Sequence, residues 1–126
     1  MKSWRLLIGR ALVLALAGAV APATADPLDD EMNRLATDSG CTLCHSARPE
    51  KATDDAVPPP APAWSEIAKR YRGRPDAEDK LVAIIIRGVR PEDRHWAGKT
   101  SAVVMPTNRV EISEEDARRL IRWILR

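Results

Sequence analysis

Cys41-Thr42-Leu43-Cys44-His45 is the stretch from which the rest of the chain is read. Two thiols three residues apart share one helical turn, and an imidazole follows directly. Three chemistries use such a group. A thioredoxin-like C-x-x-C needs a βαβ setting, and the chain shows no alternating strand pattern. A zinc site needs a fourth strong ligand, and beyond His45 only His95 is on offer. The third is attachment of a c-type haem, in which the thiols reach the two vinyl groups on one side of a porphyrin. The adjacent histidine then lies under the iron and supplies an imidazole nitrogen. The motif therefore points to one haem c, bound through Cys41 and Cys44, with His45 as an iron ligand. The thioether bonds consume both cysteines of the chain, which could not have formed a disulfide framework.

Composition fits this reading. The 126 residues suffice for one small domain. Hydrophobic residues make up 44%, but there is no Phe, one Tyr and four Trp, so the protein's own core is thin. A haem adds the apolar volume that a domain of this size lacks. Lys and Arg number 20 against 18 Asp and Glu, a formal net charge of +2. That balance excludes the basic excess of a nucleic-acid binder. Length and pattern also exclude a large catalytic domain, a multi-span membrane protein and a repeat array.

Residues 1–25 read as an address. Lys2, Arg5 and Arg10 precede the apolar run Ala11 to Ala21, and Ala23-Thr24-Ala25 supplies small side chains for a signal peptidase. The other reading of the segment, an uncleaved membrane anchor, meets a run too short to span with Arg10 just upstream. The expected division is a cleaved secretory signal over 1–25 and the working domain over 26–126, exported to the periplasm with no stable membrane insertion. Cleavage leaves 17 basic and 18 acidic residues, a formal net charge of −1.

The rest of the pattern is helical, and the expected fold is all-α with about four helices. Leu28, Met32 and Leu35 recur at helical spacing after an acidic first turn, and Gly40 ends the run. Ala47 to Pro62 is a polar, Pro-rich loop containing Pro58-Pro59-Pro60. Trp64, Ile67, Ala68 and Tyr71 share one face of a second helix that ends at Gly73. Asp76 is placed to cap a third, with Leu81, Ile84 and Ile85 as its apolar stripe and Gly88 as its stop. Arg90 to Val104 shows no period. Ser113 and Asp116 form a capping box ahead of Ala117, Leu120, Ile121, Ile124 and Leu125.

The iron's sixth position has three candidate donors in the mature chain: Met32, Met105 and His95. Met32 falls on the apolar face of the first helix, where core packing accounts for it. His95 reads as a surface or propionate-side residue. Met105 lies in Val103-Val104-Met105-Pro106, where Pro106 fixes the backbone and the preceding stretch is long enough to wrap the far side of a haem. A methionine in such a loop can also be a gap-filler. Met105 is the preferred ligand.

With these residues in view the mature chain resembles the bacterial class I cytochromes c of the short cytochrome c-551 type. The resemblance runs from about Leu28 to Leu125. It rests on the Cys41 to His45 motif, Pro62-Ala63-Trp64 opening a helix, Trp96, Met105-Pro106-Thr107-Asn108, and Trp123-Ile124-Leu125 closing the last helix. It implies that the carbonyl of Pro62 accepts the His45 ring N–H, that Trp96 donates to a haem propionate, and that Asn108 hydrogen-bonds near the Met105 sulfur. It also implies that Leu28, Met32 and Leu35 pack near Leu120, Ile121 and Ile124. Trp96 and Trp123 have plain core filling as their other reading. Two segments are longer than in the short members of the family. These are His45 to Pro62, with Ala47–Pro60 as a surface loop or docking element, and Trp96 to Met105.

The expected function is a periplasmic monohaem carrier of single electrons, not an enzyme, exchanging with redox proteins that dock transiently at the haem edge. Two readings stand beside it. One is the haem subunit of a periplasmic dehydrogenase, for example a sulfite-oxidising one. The other is a haem sensor or peroxidase-like enzyme with a labile methionine. Arg87, Arg90, Arg94 and Lys99 form a basic run ahead of Met105, either a steering patch or a solvated loop.

Overall fold

The computed structural model describes residues 26–49, 57–101, 104–109 and 111–126. The expected signal segment 1–25 and the middle of the Ala47–Pro60 loop lie outside the described residues. Four α-helices follow in order: α1 Pro27–Asp38, α2 Trp64–Tyr71, α3 Ala77–Arg87 and α4 Glu114–Ile124. Two short 3-10 turns, Cys41–Leu43 and Pro91–Asp93, fall in the connections. There is no strand among the described residues, so the all-α expectation holds. No helix among them is long and apolar enough to cross a membrane.

Local chemistry explains the helix ends. Pro27 occupies the first turn of α1, and the Asp26 carboxylate accepts the Leu28 N–H at 3.0 Å. Gly40, at φ 72°, turns the chain out of α1 into the Cys41 turn. Ser113 Oγ accepts the Asp116 N–H at 3.0 Å, so α4 begins at the expected cap. The cap expected of Asp76 is not made: its side chain accepts no helix N–H and pairs instead with Arg74 at 3.5 Å. Its backbone there is already helical, at φ −92° and ψ 0°, which turns the carboxylate away from the first-turn amides. Asp79, three residues further on, pairs with Arg118 on α4 at 2.7 Å.

α1 and α3 both pack on α4, and α2 touches it near its end. Met32, Ala36, Leu81, Val82, Ile85, Ala117, Leu120 and Ile121 are buried together. Leu35 and Ile124 pack against this cluster as expected, but Leu28 remains 39% exposed and outside it. Leu28 lies in the first turn of α1, where the Asp26 and Asp29 carboxylates rather than Leu28 meet the end of α4. A second tie joins the two ends of the described chain. The Trp123 indole N–H donates to Asp29 Oδ1 at 2.7 Å, and the Trp123 ring meets Trp64 edge-on with centroids 5.4 Å apart. On the outer face Arg118 bridges Glu78, Asp79 and Glu114, and Arg119 joins Asp116 to Glu31.

Candidate haem site

The Cys41–Leu43 turn is tight. The Cys44 and His45 N–H groups both reach back to the Cys41 carbonyl, at 3.3 and 3.0 Å. The chain then runs against the start of α2, where Ser46 and Ala47 carbonyls accept the Trp64 and Ser65 N–H groups at 2.9 and 3.2 Å. These carbonyls satisfy two of the helix's orphan donors and fix the motif against α2. The Glu66 carboxylate closes the same corner by accepting the Ala63 N–H at 3.0 Å.

This corner carries His45. Its Nδ1 lies 2.8 Å from the Pro62 carbonyl oxygen. A carbonyl can only accept, so Nδ1 bears the proton and donates it. The Nε2 lone pair is left without a protein hydrogen bond among the described residues. Burial of the ring lowers its pKa below the ordinary histidine value, against the smaller opposing pull of the Pro62 carbonyl. The imidazole is therefore neutral at neutral pH, the form that ligates metal. Burial also pushes the Cys41 thiol up. Cys41 is half-buried and Cys44 is exposed.

Cys41, Cys44 and His45 line one wall of a cavity of about 1330 Å³, counting the space that opens to solvent at its mouth. Its sides are mostly apolar. α2 contributes Trp64, Ile67 and Tyr71, α3 contributes Leu81, Ile84 and Ile85, and α4 contributes Leu120, Ile121 and Ile124. Of the residues singled out in the sequence, Pro62, His95, Trp96, Met105 and Asn108 also line it, whereas Met32 is a core residue only 1% exposed.

Met105 reaches the cavity because its loop lies on the end of α3. The Val89 N–H donates to the Met105 carbonyl at 2.9 Å, and the Asn108 N–H donates to the Ile85 carbonyl at 3.0 Å. Thr107 Oγ1 adds a bond to the Ile86 carbonyl at 2.6 Å. The approach is so close that a Cβ on Gly88 would meet Thr107 N at 2.8 Å and Met105 O at 3.0 Å. Asn108 donates its side-chain amide to the Ser39 carbonyl at 2.9 Å, tying this loop to the end of α1.

Trp96 is half-buried, with the Arg70 guanidinium 5.1 Å and the Lys99 ammonium 6.0 Å from its ring centroid. Its indole N–H has no protein partner among the described residues. Trp123 does not line the cavity; its partners are Asp29 and Trp64. Of the basic run, Arg94 lines the cavity, while Arg90 is taken up by Glu92 and Asp93 at 3.5 and 2.6 Å.

One pair was missed in the sequence. The buried Tyr71 hydroxyl lies 2.6 Å from His95 Nδ1, and Arg70 donates to the His95 carbonyl at 3.0 Å. Desolvation, with the charges of Lys80 and Arg70, lowers the His95 pKa. Only the placement of Tyr71 on the same face as Trp64 and Ile67 could have hinted at this.

The residues present fit a covalently held haem. They comprise two thiols and a neutral imidazole on one wall, the imidazole Nε2 without a protein partner among the described residues, and apolar walls supplied by α2, α3 and α4. Such an arrangement defines a class of small helical electron-transfer proteins with thioether-bound haem. A family model for cytochrome c matches residues 30–126. The chain is 40% identical over 92 residues to cytochrome c2 of Rhodocyclus tenuis, which covers 72% of this chain and 86% of that one. It is 35% identical over 91 residues to cytochrome c-551 of Allochromatium vinosum, covering 72% and 80%. The crystal structure of Nitrosomonas europaea cytochrome c552 matches with a TM-score of 0.55 at 30% identity, over 74% of this chain and 95% of that chain. The chain belongs to the cytochrome c family. With a single C-x-x-C-H, it is a one-haem electron carrier.

Proposed function

We propose that the mature protein is a periplasmic single-electron carrier whose haem c is attached through Cys41 and Cys44 and ligated by His45 and Met105. The observation that carries this reading is the His45 ring. Its Nδ1 proton is committed to Pro62 and its Nε2 is free, on the same cavity that receives Met105 from the end of α3. When bound, the haem supplies one-electron Fe(III)/Fe(II) exchange. Pro62 holds the imidazole in one tautomer and orientation, as a carbonyl behind a ligating histidine does. The backbone bonds from Val89 and Asn108 hold the Met105 loop in place. The apolar walls exclude water, which favours the less charged state of the iron. His45 and Met105 would hold the haem from two walls of the cavity, and the work of the chain would then be electron exchange at its surface. Leu43 is 84% exposed beside the exposed Cys44, so this edge is where redox partners dock, transiently and over a small area. Residues 1–25 direct export and leave after Ala25.

Substitution of the distal residue tests the ligation. The ferric haem-loaded protein should show the weak near-infrared band of thioether-to-iron charge transfer. Met105→Ala should abolish the band and lower the reduction potential, because a thioether favours ferrous iron more than an imidazole does. Survival of the band in Met105→Ala with loss in His95→Ala would refute the assignment. The intact mass of periplasmic protein should correspond to a chain starting at Asp26 with one haem added. A mass matching the uncleaved chain, or haem lost into acidified organic solvent, would refute export and covalent attachment.

A further inference from the structure

Two histidines line the cavity, His45 and His95. An imidazole ligates iron only through a nitrogen that carries a lone pair, so the tautomer of each ring decides what it can offer a metal. At His45 the Pro62 carbonyl takes the Nδ1 proton and leaves the lone pair on Nε2. At His95 the partner is of the opposite kind. The Tyr71 hydroxyl lies 2.6 Å from Nδ1, and the two rings stack at 26° with centroids 6.4 Å apart. Tyr71 is only 2% exposed, and its hydroxyl has no other partner among the described residues. A proton on Nδ1 would leave that buried hydroxyl hydrogen without an acceptor. The hydroxyl therefore donates to Nδ1, and the ring proton sits on Nε2. His95 is half-buried, so water can satisfy the Nε2–H. Desolvation, then the charges of Lys80, Arg70 and Arg74 against that of Asp93, holds the ring below the ordinary histidine range and so neutral at neutral pH. In that state His95 has one lone pair, and Tyr71 occupies it.

We infer that Tyr71 is a positioning residue for the ligand set of the haem: its hydroxyl ties up the lone pair of His95 and so keeps the second histidine of the cavity off the iron. The inference rests on the His45 and Met105 reading, and it supplies the reason why His95 does not compete with Met105. Tyr71 is the last residue of α2, on the face that sets Trp64 and Ile67 against the same cavity. Arg70 beside it donates to the His95 carbonyl at 3.0 Å, so both the backbone and the ring of His95 are bound to α2. To bind iron through Nδ1, the ring must give up the hydroxyl bond. To bind through Nε2, it must move its proton to Nδ1 and leave the hydroxyl hydrogen unpaired. Either route costs one hydrogen bond, and loss of that bond should raise the share of His95-ligated iron about fivefold.

The test uses ferric haem-loaded protein in which Met105→Ala opens the sixth position. Electron paramagnetic resonance distinguishes iron with two imidazole ligands from iron with one. Adding Tyr71→Phe should raise the two-imidazole share about fivefold, and adding His95→Gln to that variant should remove the gain. A share unchanged by Tyr71→Phe, or a gain that survives His95→Gln, would overturn the inference. The unmodified holoprotein supplies a second measurement that needs no variant to fold. Long-range proton–nitrogen correlation spectra of its ferrous form, at mildly alkaline pH, should show His95 with a bare Nδ1 and a protonated Nε2. A proton on Nδ1 would overturn the inference while leaving Met105 ligation standing. Absence of the thioether band from the ferric parent would instead overturn the Met105 reading on which the inference rests.

Discussion

Gly88→Ala should be among the most damaging single-methyl additions this protein can receive. Gly88 sits at φ 76° and ψ −176°, a region that essentially only glycine enters. Forcing an alanine there costs about 1–3 kcal/mol in backbone strain. The added Cβ would also stand 2.8 Å from Thr107 N, 3.0 Å from Met105 O and 3.0 Å from Pro106 C. These are backbone atoms of the distal loop and cannot rotate aside. The loop must retreat, which strains or breaks the Val89–Met105 and Thr107–Ile86 bonds, each contributing about 1 kcal/mol. The total is about 3–5 kcal/mol, or roughly 12 °C or more in Tm for a domain of this length. Gly73→Ala is the internal control. Gly73 also has positive φ, 80°, but nothing lies within 4 Å of its would-be Cβ, so it bears only the conformational cost of about 1–2 kcal/mol. The assay is denaturant and thermal unfolding of the ferric holoprotein, with the thioether band recorded alongside. Gly88→Ala should lose both stability and band intensity, and Gly73→Ala a little stability only. Equal losses in the two variants would show that the close approach of the loop to α3 carries no energy, and would refute the argument.

Two further outcomes follow from contacts at the back of the molecule. Arg122 and Arg118 hold the Glu78 carboxyl below its ordinary range. A carboxylate lowered in the folded state stabilises fully above its unfolded pKa, near 4.5, and that contribution fades as pH falls through the lowered value. Glu78→Gln should therefore reduce Tm at pH 7, with the difference from the parent shrinking in acid and in high salt; a gap that widens on acidification would contradict the assignment. Trp123→Phe keeps the edge-on contact with Trp64 but loses the indole donor to Asp29, whose carboxylate retains Arg126. Urea titration should show a loss of about 1–2 kcal/mol, and a loss near zero would mean that the bond is idle.

The helices were legible because their signals are local. Gly40, Gly88 and Ser113 mark ends that sequence spacing alone can place, and the stripe of α4 had only one face to bury. Asp76 shows where that reasoning stops. Its residue type suits a cap, but whether the carboxylate turns inward depends on its φ and ψ and on the nearby Arg74. The proximal corner was legible in part through the resemblance, which directed attention to Pro62 and His45. The Tyr71–His95 pair was not, since its members are 24 residues apart and each has a sufficient local explanation. The segment from Arg90 to Val104 resisted reading for a related reason. Its anchors are a guanidinium on a carbonyl, cations over an indole and single backbone bonds, and none of these leaves a periodic trace.

This contrast bears on how the two sides of the cavity can vary. The proximal side is tied to residue identity: the motif demands two cysteines and a histidine, and Ser46, Ala47 and Pro62 act through carbonyls that the Cys41 turn has already placed. The distal side is held mainly by backbone groups. Met105 and Asn108 dock on α3 through main-chain atoms, the Thr107 hydroxyl adds one side-chain bond to the Ile86 carbonyl, and the close approach requires the absence of a side chain at Gly88. Backbone docking tolerates changes at Val89 that keep the path of the chain, but it does not tolerate a change in the distance between the loop and the helix end. A substitution at Gly88 that leaves every candidate ligand in place should therefore still displace the Met105 loop. The proximal histidine lacks that weakness, because its orientation is fixed by a hydrogen bond within the corner that the Cys41 turn and the start of α2 already define.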